Sequence, residues 1–327
     1  MFFIFVAGLL GGILLSAVIL HKLDRKSLKE KHVLISGGSS GIGLELAKEA
    51  FRLGARVTLV ARNENNLRMA AEAVAIDSDK VGYVSVDLSS NISAIKKAIA
   101  PAIRAQGDID VLINCAGTAV ARYIEETTEF MYRQMMDSNY HTAVNLTKAC
   151  LSSLERRCVS QGSASIVFLS SMAGIMGVFG YSAYSPAKFA ISGFAQTVIA
   201  EKQHLGLHVM VVFPPDTETP GFENENVGKP AETVAISRLA GIKKPDTVAK
   251  GIIEDLCKRR MMSSFGLDGQ LICTAASGMW PVSSWLKLIS EIALIAPGRL
   301  LGAYLHYIFI RVTAAERAKR GPGWYPR

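Results

Sequence analysis

The chain has 327 residues, of which 50% are hydrophobic, and a formal net charge of +8. This length suits one large α/β domain with additions. The basic residues are scattered without interleaved aromatics, which excludes a nucleic-acid stripe and favours proximity to an anionic membrane surface. The five cysteines show neither metal-ligand spacing nor pairing, as is typical of reduced thiols in a domain that faces the cytosol.

The N-terminal segment is apolar and uncharged. Residues 2–20 are just long enough to cross a bilayer as a helix, and positive charges follow immediately at His21, Lys22, Arg25 and Lys26. Because positive residues tend to stay cytosolic, we predict a membrane anchor over 1–20 and a basic linker over 21–30. A cleaved signal peptide is the alternative, although it more often carries charge before its apolar run.

A glycine-rich loop follows the first predicted strand. The strand His32–Ser36 leads into Gly37-Gly-Ser-Ser-Gly-Ile-Gly43, then into an amphipathic helix over 44–53 and a second strand, Arg56–Ala61. Glycines in this position let the backbone approach a pyrophosphate, which rests on the helix N-terminus. The strand and helix patterns alternate as far as about residue 212 and predict a Rossmann-type, doubly wound parallel sheet.

The same loop contains the pattern Gly-x-Ser-x-Gly around Ser39, which is also the nucleophile elbow of serine hydrolases. No histidine motif singles out a partner base, so this is the weaker interpretation. Replacing Ser39 by Ala would abolish all activity of a hydrolase.

The end of the second strand bears on cofactor choice. Enzymes that use NAD usually place a carboxylate here to hold the ribose 2′-hydroxyl, whereas this chain has Arg62. A guanidinium suits the 2′-phosphate of NADP. Arg62 as a solvated loop charge is the alternative, and Glu64 lies two residues later.

A tyrosine and a lysine lie four residues apart in the run Tyr181-Ser-Ala-Tyr-Ser-Pro-Ala-Lys188. On one helix face, the Lys188 ammonium would lower the pKa of Tyr184 and make its phenol a proton donor near neutral pH. Ser171 ends an apolar run thirteen residues upstream of Tyr184. An ordinary surface Tyr and Lys on a helix is the alternative interpretation.

The Gly-x-x-x-Gly-x-Gly loop together with Ser171, Tyr184 and Lys188 resembles the short-chain dehydrogenase/reductase family. The resemblance implies that Tyr184 protonates the substrate oxygen, Lys188 holds the nicotinamide ribose, and Ser171 hydrogen-bonds the carbonyl oxygen. It also implies that Asn139, in a helix expected over 130–150, holds a water in the proton relay, unless it is merely capping or solvated. Besides Tyr184 and Lys188, it implies these cofactor-binding residues: Gly37, Ser39, Ser40, Gly41, Ile42, Gly43, Arg62, Asp87, Leu88, Asn114, Ala116, Gly117, Pro214, Thr217 and Thr219.

One segment indicates a branch of this family. The run Pro214-Pro-Asp-Thr-Glu-Thr-Pro-Gly-Phe222, which follows a strand over 209–213, resembles the branch that reduces the 3-ketone of long-chain sphingoid bases. That resemblance implies an endoplasmic reticulum protein that uses NADPH, with its active site facing the cytosol. Two alternatives remain, a membrane-anchored retinol or hydroxysteroid dehydrogenase and a catalytically silent NADP-binding scaffold.

Two sequence departures bear on this branch. Pro186 stands between Tyr184 and Lys188, which places the helix start near Ser185. Asn66 stands where some relatives have a lysine near the 2′-phosphate, so Arg62 carries more of the NADP preference.

The substrate of this branch is an alkyl chain that carries a cationic amine. The loop over 216–244 is expected to close over its groove, with Asp216 or Glu218 as candidate partners of the ammonium. The candidate apolar lining is Met172, Met176, Phe179 and Phe222.

The C-terminal region is a second membrane candidate, separate from the catalytic domain expected over 31–270. Residues 271–310 are hydrophobic, but Lys287, Glu291, Pro297 and Arg299 interrupt them. Because charges at bilayer depth cost several kcal/mol, we predict an interfacial helix or a re-entrant hairpin, with Trp280 and Trp285 at the headgroups. A packed helical extension or dimer face is the alternative, and residues 311–327 are expected to form an exposed, mobile basic tail.

Overall fold

The protein is described here by a computed structural model that covers residues 26–76, 78–281 and 285–320. The strands are β1 His32–Ser36, β2 Arg56–Ala61, β3 Val81–Ser85, β4 Val111–Asn114, β5 Ala164–Leu169, β6 Leu207–Phe213 and β7 Met262–Ser264. They form one parallel sheet in the order β3-β2-β1-β4-β5-β6-β7, with Val33 in register with Val57 on one side and with Val111 on the other. The predicted doubly wound parallel sheet is confirmed.

Helices alternate with the strands through most of the described chain. They are α1 Gly41–Arg52, α2 Glu64–Val74, α3 Ile92–Gln106, α4 Glu129–Met135, α5 Thr142–Gln161, α6 Tyr184–Lys202, α7 Pro220–Glu225, α8 Ala231–Ala240, α9 Pro245–Cys257, α10 Gly266–Ala275 and α11 Trp285–Ala318. A π-helical turn, Met136–His141, joins α4 to α5.

The core has two layers because successive strand residues point to opposite faces of the sheet. Val33 and Ile35 of β1 pack with Leu46 of α1 on one face, whereas Leu34 packs with Ile95 of α3 on the other. All five residues of β1 are buried, as expected for a central strand covered by helices on both sides. Because all seven described strands run parallel, their carboxyl ends lie along one edge of the sheet.

Several predicted boundaries differ from the structure. The helix predicted over 130–150 is divided by the π-helical turn, and β6 begins two residues before the predicted strand. The edge strand β7 was not predicted, because three residues are too few to show a period. Helix α6 begins at Tyr184, one residue before the predicted start. The predicted anchor over 1–20 lies outside the described residues, as does the linker up to residue 25.

The C-terminal region folds as two helices, α10 and α11, that pack against each other. Within the described ranges, one helical segment, Lys287–Ala318, is long and apolar enough to cross a membrane by length and composition. Trp285 is exposed, and Trp280 is partly buried against the core.

Residues 311–320 differ from the predicted mobile tail. Helix α11 continues to Ala318, and beyond it Arg320 pairs with the buried Glu232 of α8 at 3.0 Å. This tertiary ion pair, which the local sequence does not reveal, joins the end of the described chain to helix α8.

Candidate active site

The site lies where the order of the strands reverses. Strands β1 and β4 are neighbours in the sheet although they are distant in sequence, and the Ser36 hydroxyl accepts the N–H groups of Cys115 and Ala116 at 3.0 and 3.1 Å. In open α/β sheets, ligands bind in the crevice outside the carboxyl ends of the strands at such a reversal. The structure places predicted residues at or just after six of these ends: Gly37, Arg62, Asp87, Asn114, Ser171 and Pro214.

The glycine loop has the geometry of a phosphate cradle. Gly37 and Gly41 have φ angles of 67° and 55°, in the left-handed region that favours glycine. A Cβ on Gly43 would overlap the Gly37 carbonyl oxygen and lie 2.8 Å from the carbonyl carbon. Ser40 precedes α1 without capping it through its side chain, so the first N–H groups of α1 remain available to an anion.

The other residues of the glycine loop also fit a phosphate-binding role. Ser39 is half-buried, and Ile42 packs against the core beneath it. Among the described residues, no hydrogen bond joins Ser39 to a histidine, so the arrangement expected of a hydrolase is not seen. The loop therefore fits a dinucleotide pyrophosphate better than a nucleophile elbow.

The segment after β6 reaches the glycine loop through one side chain. Thr219 caps α7 by accepting the Phe222 N–H at 3.1 Å, and its methyl group lies 3.1 Å from where a Cβ on Gly41 would stand. Thr217 is buried, and its hydroxyl donates to the Pro215 carbonyl at 2.8 Å. Thr219 therefore borders the cradle directly, whereas the Thr217 hydroxyl is engaged by its own backbone.

The residues after β2 and β3 occupy the other end of the crevice. The Arg62 side chain is exposed. Asp87 accepts the Ser89 N–H at 2.9 Å and the Ser89 hydroxyl at 2.8 Å, and these bonds lower the pKa of Asp87. The Leu88 side chain is buried in the core, and its carbonyl accepts a hydrogen bond from Asn145 at 3.0 Å.

The end of β4 supplies an amide. Asn114 is buried, and its Nδ2 donates to the Thr147 hydroxyl at 3.1 Å. Its Oδ1 is buried without a hydrogen-bond partner among the described residues. Because buried polar atoms are normally hydrogen-bonded, this Oδ1 is positioned to accept a hydrogen bond from a molecule bound in the crevice.

Tyr184 and Lys188 lie one turn apart at the start of α6. The Lys188 Nζ is 5.5 Å from the centroid of the Tyr184 ring and donates to the Leu169 carbonyl at 3.0 Å. Burial lowers the pKa of Lys188 to about 8. The amine therefore lies beside the phenol, as the four-residue spacing predicted.

The electrostatics of Tyr184 differ from the expectation. Loss of solvation raises its pKa, the Glu225 carboxylate adds to this, and a hydrogen bond with Ser171 opposes it. The predicted lowering by Lys188 is therefore wrong for this structure, because burial of the phenol and the nearby carboxylates outweigh the favourable contacts. The structure does join Ser171 to Tyr184.

Asn139 lies in the π-helical turn and is fully buried. Its Nδ2 donates to the carbonyls of Thr118 and Met135 at 2.9 and 3.0 Å, while its Oδ1 has no partner among the described residues. A Cβ on Gly117 would overlap that Oδ1 and lie 3.4 Å from the Lys188 Nζ. Asn139 and Lys188 therefore face the same point beside Gly117.

Sequence reasoning missed three residues that the fold brings to this site. Tyr181 packs on Tyr184 with ring centroids 5.4 Å apart, and its hydroxyl donates to Glu225. Glu225 is also paired with Lys229 at 2.7 Å. The spacing of Glu225 and Lys229 by four residues was a visible signal, but the sequence did not connect it to Tyr184.

A cavity of about 770 Å³ lies beside the start of α6. Segments 122–125 and 177–182 line it together with Ile310 and Ala314 of α11. Of the four predicted groove residues, Phe179 lines this cavity and packs edge-on against Tyr123 with centroids 5.9 Å apart. Met172, Met176 and Phe222 are not part of its lining.

Comparisons with known proteins agree with this geometry. A family described as short chain dehydrogenase matches residues 31–229. A 3-dehydrosphinganine reductase from Danio rerio is 37% identical over 310 residues, covering 93% of this chain and 92% of the relative. A 3-ketodihydrosphingosine reductase from Mus musculus is 36% identical and covers 96% of each chain, and one from Dictyostelium discoideum is 34% identical with 82% and 85% covered.

A solved structure shares the fold. The 3-ketoacyl-(acyl-carrier-protein) reductase from Brucella melitensis, complexed with NADH, superposes with a TM-score of 0.63 at 20% identity. The match covers 71% of this chain and 92% of that chain.

Proposed function

Because the chain belongs to the short-chain dehydrogenase family, we propose that it reduces 3-ketodihydrosphingosine to dihydrosphingosine, or sphinganine, in sphingolipid biosynthesis. The observation that carries this proposal is the group of similar relatives bearing that name, which are 34–37% identical to this chain over most of its length. The grouping of Ser171, Tyr184 and Lys188 at the carboxyl edge of the sheet supports a ketone reduction.

Each side chain has a role that its surroundings support. Tyr184 donates a proton to the carbonyl oxygen, and its raised pKa keeps the phenol protonated and ready to donate at neutral pH. Ser171 donates a hydrogen bond to the same oxygen and stabilises the charge that develops there. Lys188 holds the nicotinamide ribose, and Asn139 orients a water that returns a proton towards Lys188.

A nicotinamide cofactor suits the cradle of Gly37, Gly41 and Gly43, and when bound it supplies the hydride that this reduction needs. We assign NADPH because the exposed Arg62 guanidinium follows β2 where an NAD site would place a carboxylate. The partly engaged Asp87 lies after the next strand and faces the same end of the crevice.

Membrane association is part of the same proposal. The segment Lys287–Ala318 is predominantly apolar and exposes residues such as Ile292, Leu300 and Tyr304. A lipid substrate is presented at a membrane, so an exposed apolar helix beside the catalytic domain suits this reaction. We propose the endoplasmic reticulum membrane as the location, with the catalytic domain on the cytosolic side.

The test is to incubate the purified full-length chain with NADPH and the sphingoid ketone and to measure sphinganine by mass spectrometry. Tyr184→Phe should reduce turnover by orders of magnitude while NADPH binding stays nearly intact. Tyr83→Phe, on the partly exposed edge strand β3, is the matched control and should behave as wild type. Near-normal turnover by Tyr184→Phe would remove Tyr184 from its role, and reduction of only retinoid or steroid ketones would replace the proposed substrate.

A further inference from the structure

Three side chains beside the catalytic tyrosine, Tyr181, Phe222 and Glu225, surround the ammonium group of Lys229. Lys229 has a side chain that is 1% exposed, and its Nζ lies 2.7 Å from a Glu225 carboxylate oxygen. The same Nζ stands 4.7 Å from the centroid of the Phe222 ring and 5.7 Å from that of Tyr181. A carboxylate with two aromatic faces is the arrangement that proteins use to bind organic cations.

This cluster, which we call the ammonium cage, adjoins the reacting centre. The Tyr181 hydroxyl donates to the same Glu225 oxygen that accepts from Lys229. The Tyr181 ring is 5.4 Å from the Tyr184 ring, so one aromatic side chain separates the carboxylate from the catalytic phenol. The negative charge of Glu225 is also felt at Tyr184, where it raises the pKa of the phenol.

We propose that the ammonium cage of Tyr181, Phe222 and Glu225 is the binding site for the amine of a 2-amino-3-ketone, and that Lys229 holds this place until the substrate arrives. This inference rests on the proposed function. A substrate whose ketone oxygen meets Tyr184 carries its ammonium on the adjacent carbon, so the amine must lie close to the phenol. Glu225 is the carboxylate that the structure places there through Tyr181.

The exchange of one ammonium for another is electrostatically favourable. The Glu225 side chain is only 11% exposed, so removing its Lys229 partner would leave a largely desolvated charge without compensation, whereas replacing Lys229 by a substrate ammonium conserves the charge and the contacts with both rings. Lys229 follows Gly228, which has a φ of 70°, in a turn between α7 and α8. A lysine on a four-carbon stem in such a turn is suited to withdraw towards solvent.

Asp216 and Glu218, the partners considered from sequence, are less well placed. Glu218 is exposed and its backbone N–H pairs with the Lys243 carbonyl at 2.9 Å. Asp216 influences the pKa of Tyr184 less than Glu225 does. The cage therefore favours Glu225 as the partner of the amine.

The experiment compares two ketones of equal chain length, one with the 2-amino group and one without it, in the full-length enzyme. Glu225→Gln should raise KM for the amino-ketone at least tenfold and change KM for the plain ketone less than twofold. Lys229→Met should lower KM for the amino-ketone severalfold, because the lysine ammonium no longer competes with the substrate amine for the cage. Glu223→Gln, an exposed carboxylate on the same helix α7, is the matched control and should change neither KM.

A second measurement separates binding from catalysis. Sphinganine should raise the melting temperature of Lys229→Met by more than it raises that of wild type, because the free amine restores the missing cation. Equal changes in KM for the two ketones in both variants, or an equal thermal shift, would overturn the cage while leaving the reduction intact. If wild type reduced neither ketone, the proposed function would be overturned together with this inference.

Discussion

Replacing Gly43 by alanine tests whether the glycine loop is a cradle for the cofactor. Gly43 is buried in the first turn of α1, where the loop folds back over the helix. An added Cβ would overlap the carbonyl oxygen of Gly37 and would lie 2.8 Å from its carbon and 3.2 Å from the Gly38 Cα. All three neighbours are backbone atoms, so no flexible side chain is available to move aside.

The size of the effect follows from this overlap. Carbon atoms in contact prefer separations of about 3.5–4.0 Å, so the loop and the helix must separate by roughly 1 Å. Overpacking of this kind costs about 1–3 kcal/mol. If that cost falls on the conformation that binds the cofactor, NADPH affinity weakens by roughly 5- to 150-fold, since about 1.4 kcal/mol is tenfold.

The assay is calorimetric titration of NADPH into the full-length protein, with the melting temperature measured in parallel. Gly193→Ala is the matched control, because Gly193 lies exposed in α6 with open space around its Cα. That variant should bind NADPH normally and be slightly more stable, since alanine suits a helix interior better than glycine. Wild-type NADPH affinity in Gly43→Ala would refute the assignment of this loop to the cofactor.

Three further outcomes are expected. Arg62→Glu should shift the cofactor preference from NADPH towards NADH by at least tenfold in kcat/KM, measured with both cofactors, because a carboxylate repels the 2′-phosphate. An unchanged preference would show that a residue other than Arg62 selects the cofactor. Burial lowers the pKa of Lys188 to about 8, so its ammonium loses its charge as the pH rises through 8, whereas Tyr184 stays protonated because burial raises its pKa. We therefore expect kcat/KM to fall as the pH rises through 8. A kcat/KM that stays constant up to pH 10 would contradict this. Glu232→Gln should lower the free energy of unfolding by about 1–3 kcal/mol in urea titrations, because it breaks a largely buried ion pair with Arg320; a loss below about 0.5 kcal/mol would show that the pair contributes little.

The sequence was sufficient for the parts of the protein that depend on neighbours along the chain. The glycine spacing from Gly37 to Gly43, the apolar strands and the helix period predicted the parallel sheet and its cofactor loop. The four-residue separation of Tyr184 and Lys188 predicted their stacking on α6. Membership of the short-chain dehydrogenase family, inferred from the same motifs, is confirmed by the match over residues 31–229.

Other features depend on contacts between distant segments. The π-helical turn that carries Asn139 has no signature in the local hydrophobic period, and β7 is too short to show one. The ion pair at the end of the described chain joins residues 88 positions apart. Each of these features depends on how helices and loops pack. Neither secondary-structure propensity nor the hydrophobic pattern predicts which distant residues come into contact.

The direction of the Tyr184 pKa shift shows most clearly the difference between what the sequence predicts and what depends on the tertiary structure. From the sequence, the adjacent lysine implied a lowered pKa, because opposite charges one helical turn apart favour the phenolate. In the folded protein, Tyr184 loses solvent and lies near Glu225, which follows it by forty-one residues in the sequence, and the pKa of Tyr184 is raised. Order along the chain is enough to place a side chain on a helix face, but its ionisation depends on solvent exclusion and through-space charge, which arise from the packing of the whole domain.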